Sequence, residues 1–282
     1  MRRVCGPSPV RSAGQKQRRG DCFVIVSGKG GVGKTNLAVN LAIQLARRRH
    51  DVVLLDADFG LANADILLNL TPCGDFADLL SGRRAAQELL VPGPAGLRVL
   101  CGASGFARPG SQPPVIAQAC ARALGELRQG CDLVLVDCGA GLNSLTVSLA
   151  LASDLLIVVT TPEPPALADA YAVLKLLCNR GLFGRVGVVV NMARSTTEAE
   201  AVARRMIRVA GDFLGLRVEY LGAVPPDRHI PLAVRARVPL AVRYPRCDAS
   251  RAMEAICERL GLPRVERSRL GGVWSRVASL FL

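Results

Sequence analysis

Two lysines five residues apart mark the densest chemical site in the chain: Gly28–Thr35 reads GKGGVGKT, which satisfies G-x-x-x-x-G-K-[ST]. Such a loop cradles phosphate. Gly28, Gly30, Gly31 and Gly33, with Val32 among them, let backbone N–H groups close around phosphate oxygens. The N-terminus of the helix that opens at Asn36 adds the positive end of its dipole. Lys34 would reach the β- and γ-phosphates, and the Thr35 hydroxyl would ligate Mg2+. Lys29 stands apart, because an ordinary phosphate loop needs no second lysine after its first glycine. The chain has only four lysines, Lys16, Lys29, Lys34 and Lys175, among its 36 basic residues. Two of the four in one loop are positions fixed by chemistry rather than by solubility.

Carboxylates complete the set. Val52–Asp58 reads VVLLDAD, an apolar run ending in two aspartates, and Leu133–Gly141 reads LVLVDCGAG. In open sheets of alternating strands and helices, ligands bind at the carboxyl ends of strands. Asp56 and Asp58 are two residues apart, so both point to one side. One would hold Mg2+ through water while the other orients an attacking water. Asp137 ends a Walker B strand and would lie near the same ion. Gly139 and Gly141 give the next segment freedom to respond to a γ-phosphate. Asn191, after Val186–Val190, and Pro225 and Asp227, after Val218–Ala223, fall on the nucleotide side as well. Asn191 could instead cap a helix, and Asp227 could close a turn.

These residues need a frame that brings several strand ends to one loop. The apolar runs are Cys22–Val26, Val52–Leu55, Leu97–Cys101, Leu133–Val136, Leu155–Thr160, Val186–Val190 and Val218–Leu221. Helical patterns lie between most of them, at 36–49, 114–129, 143–152, 165–180 and 197–214. Runs without polar alternation are buried on both faces, as in a parallel sheet covered by helices. The expected fold is one doubly wound α/β domain over residues 21–262, a mainly parallel sheet with helices on both faces. Residues 1–20 read as a basic arm and 263–282 as a basic, amphipathic segment. Residues 105–114, with Pro109, Pro113 and Pro114, read as a loop within the domain.

Composition removes other classes. A chain of 282 residues, 50% hydrophobic, builds a large core and is neither a disordered regulator nor a disulfide-stapled miniprotein. Its ten cysteines contain no C-x-x-C pair, so neither a zinc site nor a thioredoxin-like pair is expected. They read as small buried hydrophobes in a reducing cytoplasm. Asp154 interrupts the longest apolar stretch, Leu145–Thr161, which leaves no run of the roughly 18 residues that would span a membrane. The net charge of +13 is uneven: residues 1–20 carry +6 and 264–282 carry +3, leaving +4 for everything between.

The run K-G-G-V-G-K-T is the deviant Walker A signature of the MinD/ParA family of dimerising ATPases, and residues 22–260 resemble that family. Three stretches, KTNLAVNLAIQLA (34–46), DADFGLANADILL (56–68) and TTPEPPALADAYAVLKLL (160–177), resemble its flagellar-number regulators (FlhG, also called FleN or YlxH) more than its division-site members. The resemblance implies a MinD-like P-loop fold and slow, partner-stimulated hydrolysis of ATP to ADP and phosphate. It implies that Lys29 crosses to the partner's phosphates in an ATP-dependent homodimer, beside Lys34 on its own nucleotide. It assigns the attacking water to Asp58 and the Mg2+ environment to Asp56, and it gives Asn191, Pro225 and Asp227 to the adenine. The partners implied are an FlhF-type GTPase and flagellar transcription or switch proteins. Residues 1–20 lack the D-Q-A-x-x-L-R segment with which members of that branch stimulate the GTPase.

The last stretch, Leu270–Leu282, reads LGGVWSRVASLFL. Leu270, Val273, Trp274, Val277 and Phe281 recur on one helical face, with Arg276 opposite and Arg264, Arg267 and Arg269 before it. This is the composition of an interfacial amphipathic helix. Members of the MinD type carry such a membrane-targeting helix. The expectation is a cytoplasmic protein that reaches an anionic membrane surface reversibly when ATP pairs two weak anchors. A division-site ATPase and a partition ATPase binding DNA non-specifically are the alternatives. The second is less favoured, because the basic charge sits at the chain's ends rather than on the folded part.

Overall fold

The computed structural model describes residues 19–58, 63–72, 74, 78–79, 83–102 and 113–262, and of 113–117 the backbone alone. Eight strands form one sheet in the order β3-β4-β2-β5-β1-β6-β7-β8. They are β1 (Asp21–Val26), β2 (Val52–Ala57), β3 (Val91–Pro92), β4 (Arg98–Leu100), β5 (Leu133–Cys138), β6 (Leu155–Thr160), β7 (Arg185–Asn191) and β8 (Val218–Val224). Every neighbouring pair is parallel except the two-residue β3, which runs antiparallel to β4 at one edge. The chain winds from β1 toward β2 and β4, then returns through β5 and continues from β1's other side through β6, β7 and β8. The reversal falls at β1, where doubly wound sheets open a ligand crevice.

Strands β2, β5 and β6 are buried at every residue. The two-residue period sends alternate side chains to opposite layers. Val24, Val26, Val134, Val136, Leu156 and Val158 face one core, which is covered by α3 (Pro113–Gln129), α4 (Ser144–Leu151), α5 (Pro164–Asn179) and α6 (Thr196–Leu214). Phe23, Ile25, Leu54, Leu135 and Ile157 face the other, under α1 (Lys34–Arg47), α2 (Ala64–Leu68), α7 (His229–Arg235), α8 (Leu240–Arg243) and α9 (Asp248–Arg259). The doubly wound sheet read from the sequence is the fold observed. Eight described cysteines are free, and six of them are buried.

One feature departs from the expectation and two go beyond it. The loop expected over 105–114 ends early: Pro113 and Pro114 open α3, since proline's missing N–H costs nothing in a helix's first turn. The rest of that loop lies outside the described residues. The stretch after β8 carries three helices. Two of them are only seven and four residues long, too short to show a period. The third, α9, does carry a legible stripe, with Ala249, Met253, Ile256 and Cys257 buried at helical spacing. Finally, β8 bulges against β7 between the pairs Val188–Tyr220 and Val189–Gly222, which turns Leu221 inward over Gly187. A Cβ at Gly187 would overlap the Leu221 side chain.

Candidate active site

The loop after β1 takes its shape from two left-handed glycines, Gly31 (φ 79°) and Gly33 (φ 87°). Gly33 begins α1, and its carbonyl accepts from Leu37 N at 3.0 Å. The Ser27 hydroxyl donates to the Lys29 carbonyl at 2.7 Å. From the far strand, the buried Asn191 amide donates to the Val32 carbonyl at 2.7 Å. A Cβ on Gly33 would collide with that amide, and one on Gly28 would collide with the backbone of Asp169 in α5. The phosphate loop is thus clamped between β7 and α5, with its amides preset for an anion.

Beneath the loop lie the charges. Lys34 is buried, which lowers its pKa, while Asp137 and Asp58 pull it back up. Asp137 is 1% exposed, and neither of its carboxylate oxygens has a hydrogen-bond partner among the described residues. Burial, reinforced by the neighbouring Asp56, pushes its pKa up to about 7, although the nearby Thr35 hydroxyl and Lys34 ammonium work the other way. A buried acid without donors is costly unless something cationic completes it. Thr35 and Asp137 therefore fit a small divalent cation.

Asp56 pairs in register with Asp137 across β2 and β5. It plays a different part. Its carboxylate accepts from Asp58 N (3.0 Å), Asn63 N (3.1 Å) and Ala64 N (3.0 Å). Burial still raises its pKa to about 6 against those three bonds. Asp56 thereby ties the end of β2 to the start of α2, and it adds charge rather than open lone pairs to the metal environment. Asp58 lies past the strand end, against Gly139; a Cβ there would come within 3.1 Å of Asp58 Oδ1. Gly141, at φ 82°, donates its N–H to the Ser27 carbonyl at 3.3 Å, so the segment after β5 touches the phosphate loop. Lys34, Thr35, Asp56, Asp58 and Asp137 meet at one point, as their strand-end positions implied.

Lys29 points away from this cluster. It is 48% exposed, and its Nζ lies 3.4 Å from Glu163 Oε2, at the residue that opens α5. Glu163 belongs to no motif, although it falls inside the TTPEPP stretch and directly precedes two helix-starting prolines. Asn36 supplies a carbonyl to Asn40 Nδ2 at 2.7 Å within α1.

The base-side residues are placed as follows. Pro225 lines an open cleft of about 390 Å3 together with Arg194, Ser195 and Asp248. Asp227 holds the segment after β8 together: it accepts from His229 N at 2.9 Å and Ala249 N at 3.2 Å, and its Oδ1 lies 2.7 Å from His229 Nδ1. Although its burial works upward, these bonds hold its carboxyl down at about 2. Cys247 lies beside them, with sulfur, carboxylate and imidazole all within 4.8 Å of one another. The candidate membrane residues Leu270, Val273, Trp274, Val277 and Phe281 lie outside the described residues. Among those described, no helix is long and apolar enough to cross a membrane.

Comparison with known proteins agrees with this geometry. A family profile described as ParA, NUBPL iron-transfer P-loop NTPase, matches residues 20–261. The antiactivator FleN of Pseudomonas aeruginosa is 36% identical over 238 residues, covering 84% of this chain and 85% of its own. The flagellum site-determining protein YlxH of Helicobacter pylori is 33% identical over 227 residues, covering 76% and 73%. The crystal structure of the Pyrococcus furiosus cell division ATPase MinD superposes with a TM-score of 0.71 at 26% identity, covering 86% of this chain and 98% of that one. With its clamped phosphate loop, its second lysine and its three strand-end aspartates, the chain belongs to the ParA family of P-loop NTPases.

Proposed function

We propose that the protein is an ATP-hydrolysing dimerisation switch that sets flagellar number or placement. The observation that carries the chemistry is Asp137: a buried carboxylate with both oxygens unpartnered, beside Thr35 and Lys34. Thr35 and Asp137 would hold Mg2+, which, when bound, neutralises charge on the β- and γ-phosphates. The preset amides of 28–34 and the Lys34 ammonium bind the phosphate chain. Lys34's lowered pKa reflects burial that an anionic ligand would offset, so nucleotide binding strengthens its charged form.

Hydrolysis needs a water held in line with the terminal phosphate. Asp58 lies beyond the strand end against Gly139, and its carboxylate would orient such a water. Asp56 fixes Asp58 by accepting its backbone N–H. Lys29 supports the dimer reading. Its pair with Glu163 is exposed on both sides, and such pairs contribute no more than about 1 kcal/mol, so the ammonium is released readily to a partner's phosphates. ATP would then be both substrate and the bridge between two copies.

The flagellar role rests on likeness to FleN and to YlxH, the second of which is by its name a flagellum site-determining protein. Reversible contact with the inner membrane face rests on the amphipathic Leu270–Leu282 segment. An FlhF-type GTPase or a flagellar transcription protein is the partner class proposed. Asp58→Ala tests the chemistry. It is expected to keep Mg-ATP affinity within about twofold while hydrolysis falls by roughly a hundredfold, as for loss of a water-positioning group. Wild-type turnover in that variant would remove Asp58 from the mechanism.

A further inference from the structure

Two phenylalanines break the rule that large apolar side chains are covered. Phe183 is 96% exposed and Phe213 is 74% exposed, whereas the next large apolar side chain among the described residues, Ile66, reaches 48%. They are not scattered. Phe183 stands in the turn between α5 and β7, and Phe213 stands in the last turn of α6, before β8. Those strands pair directly, with Val186 opposite Val218, and the Cys178 thiol at the end of α5 donates to the Leu214 carbonyl at 3.6 Å. Both rings therefore project at the amino-terminal edge of the sheet, the end opposite the phosphate loop.

The charge around them is cationic. Arg180 and Arg217 are exposed in the same two turns. Of the nearby acids, Asp154 is paired with Arg128 at 2.6 Å and Glu219 with Arg185 at 2.7 Å, while Asp21 at the start of β1 also acts on Arg185 and Asp212 stands on the rim. The described chain also ends here: Arg185 donates to the Leu260 carbonyl at 3.3 Å, two residues before Leu262. Leu262, which Arg264, Arg267, Arg269 and the Leu270–Leu282 stretch follow in the sequence, thus lies at the same edge.

We infer that the Phe183–Phe213 edge is a second membrane contact, which docks on an anionic bilayer beside the C-terminal segment. Aromatic rings exposed among arginines suit the headgroup boundary, where the ring leaves water and the cations meet lipid phosphates. One short amphipathic segment binds weakly, and a rigid contact on the same edge raises the affinity without a new anchor. Because this edge lies across the sheet from the phosphate loop, lipid contact leaves the nucleotide end open. The inference rests on the membrane reading above, and the following experiment separates the two.

Trp274 is the chain's only tryptophan. In the unaltered full-length protein with Mg-ATP, its emission reports the C-terminal segment. With Trp274 kept, Phe183→Trp adds a reporter in the turn and Phe213→Trp adds one at the second ring, each read as the emission gained over the unaltered protein. Vesicles of phosphatidylglycerol and phosphatidylcholine, with and without brominated acyl chains, are compared with pure phosphatidylcholine. A blue shift and bromine quenching at position 183 or 213, on anionic vesicles only, supports the second contact. The paired change Phe183→Ser and Phe213→Ser is then expected to lower vesicle partitioning about tenfold, as two large apolar side chains stay in water. Unshifted emission at both positions, while Trp274 shifts in the unaltered protein, overturns the second contact. No shift at any of the three positions overturns the membrane reading itself.

Discussion

At the scale of single residues, the two aspartates that face each other across β2 and β5 have different tasks. Asp56 satisfies three backbone amides, while Asp137 satisfies none. Both are held above the ordinary carboxyl value, to about 6 and about 7. A carboxyl raised in the folded state favours folding when protonated. That contribution is full below the unfolded value near 3.8 and is lost as pH rises through about 7. The ligand-free protein is therefore expected to lose stability from these groups between weakly acidic and neutral pH, and Mg-ATP is expected to restore it. Asp137→Asn should flatten that dependence and stabilise the ligand-free protein by about 1–2 kcal/mol at neutral pH, while abolishing the Mg2+ dependence of nucleotide binding. Urea unfolding across pH, with and without Mg-ATP, checks this; an unchanged pH profile in the variant would remove Asp137 as the source. Lys34, Thr35, Asp56, Asp58 and Asp137 were all legible in the sequence, because a phosphate loop and buried strands ending in acid leave little freedom. Glu163 was not, because its relation to Lys29 spans 134 residues and exists only once β6 lies beside β1.

At the scale of elements, the parallel sheet could be read because its strands are uninterrupted apolar runs. The segment after β8 could not, since α7 and α8 are held by long-range bonds rather than by their own periodicity. Asn40 Oδ1 accepts Ala241 N at 2.7 Å, and Arg47 donates to the Ala241 carbonyl at 2.7 Å, so α1 fixes α8 from across the core. Asp227 does the same for the starts of α7 and α9. Asp227→Ala would leave two backbone donors without their partner and should destabilise the fold by about 2–3 kcal/mol at neutral pH, read as a lowered urea midpoint. Because its carboxyl is held at about 2, that contribution is full above the unfolded value of 3.8 and fades as pH falls toward 2. A variant as stable as the parent would show that Asp227 is not what orders these helices. Asn191 has a comparable place: its amide ties β7 to the phosphate loop through the Val32 carbonyl.

At the scale of the whole molecule, the two ends of the sheet divide the work. The carboxyl ends of the strands carry the phosphate loop, the acids and the half-exposed Lys29. The amino ends carry Phe183, Phe213 and Leu262, after which the sequence runs on into its basic C-terminal stretch. A molecule built this way can meet a second copy at one end while the other end stays uncovered. In the dimer proposed above, ATP joins two copies through Lys29. Light-scattering mass of full-length Asp58→Ala protein in Mg-ATP, beside the same protein carrying Lys29→Ala as well, tests it most directly. Twice the 29.8 kDa chain mass is expected for the first and the single-chain mass for the second, with both binding nucleotide. A single-chain mass for the ATP-loaded Asp58→Ala protein, or a dimer that survives the loss of Lys29, would contradict it.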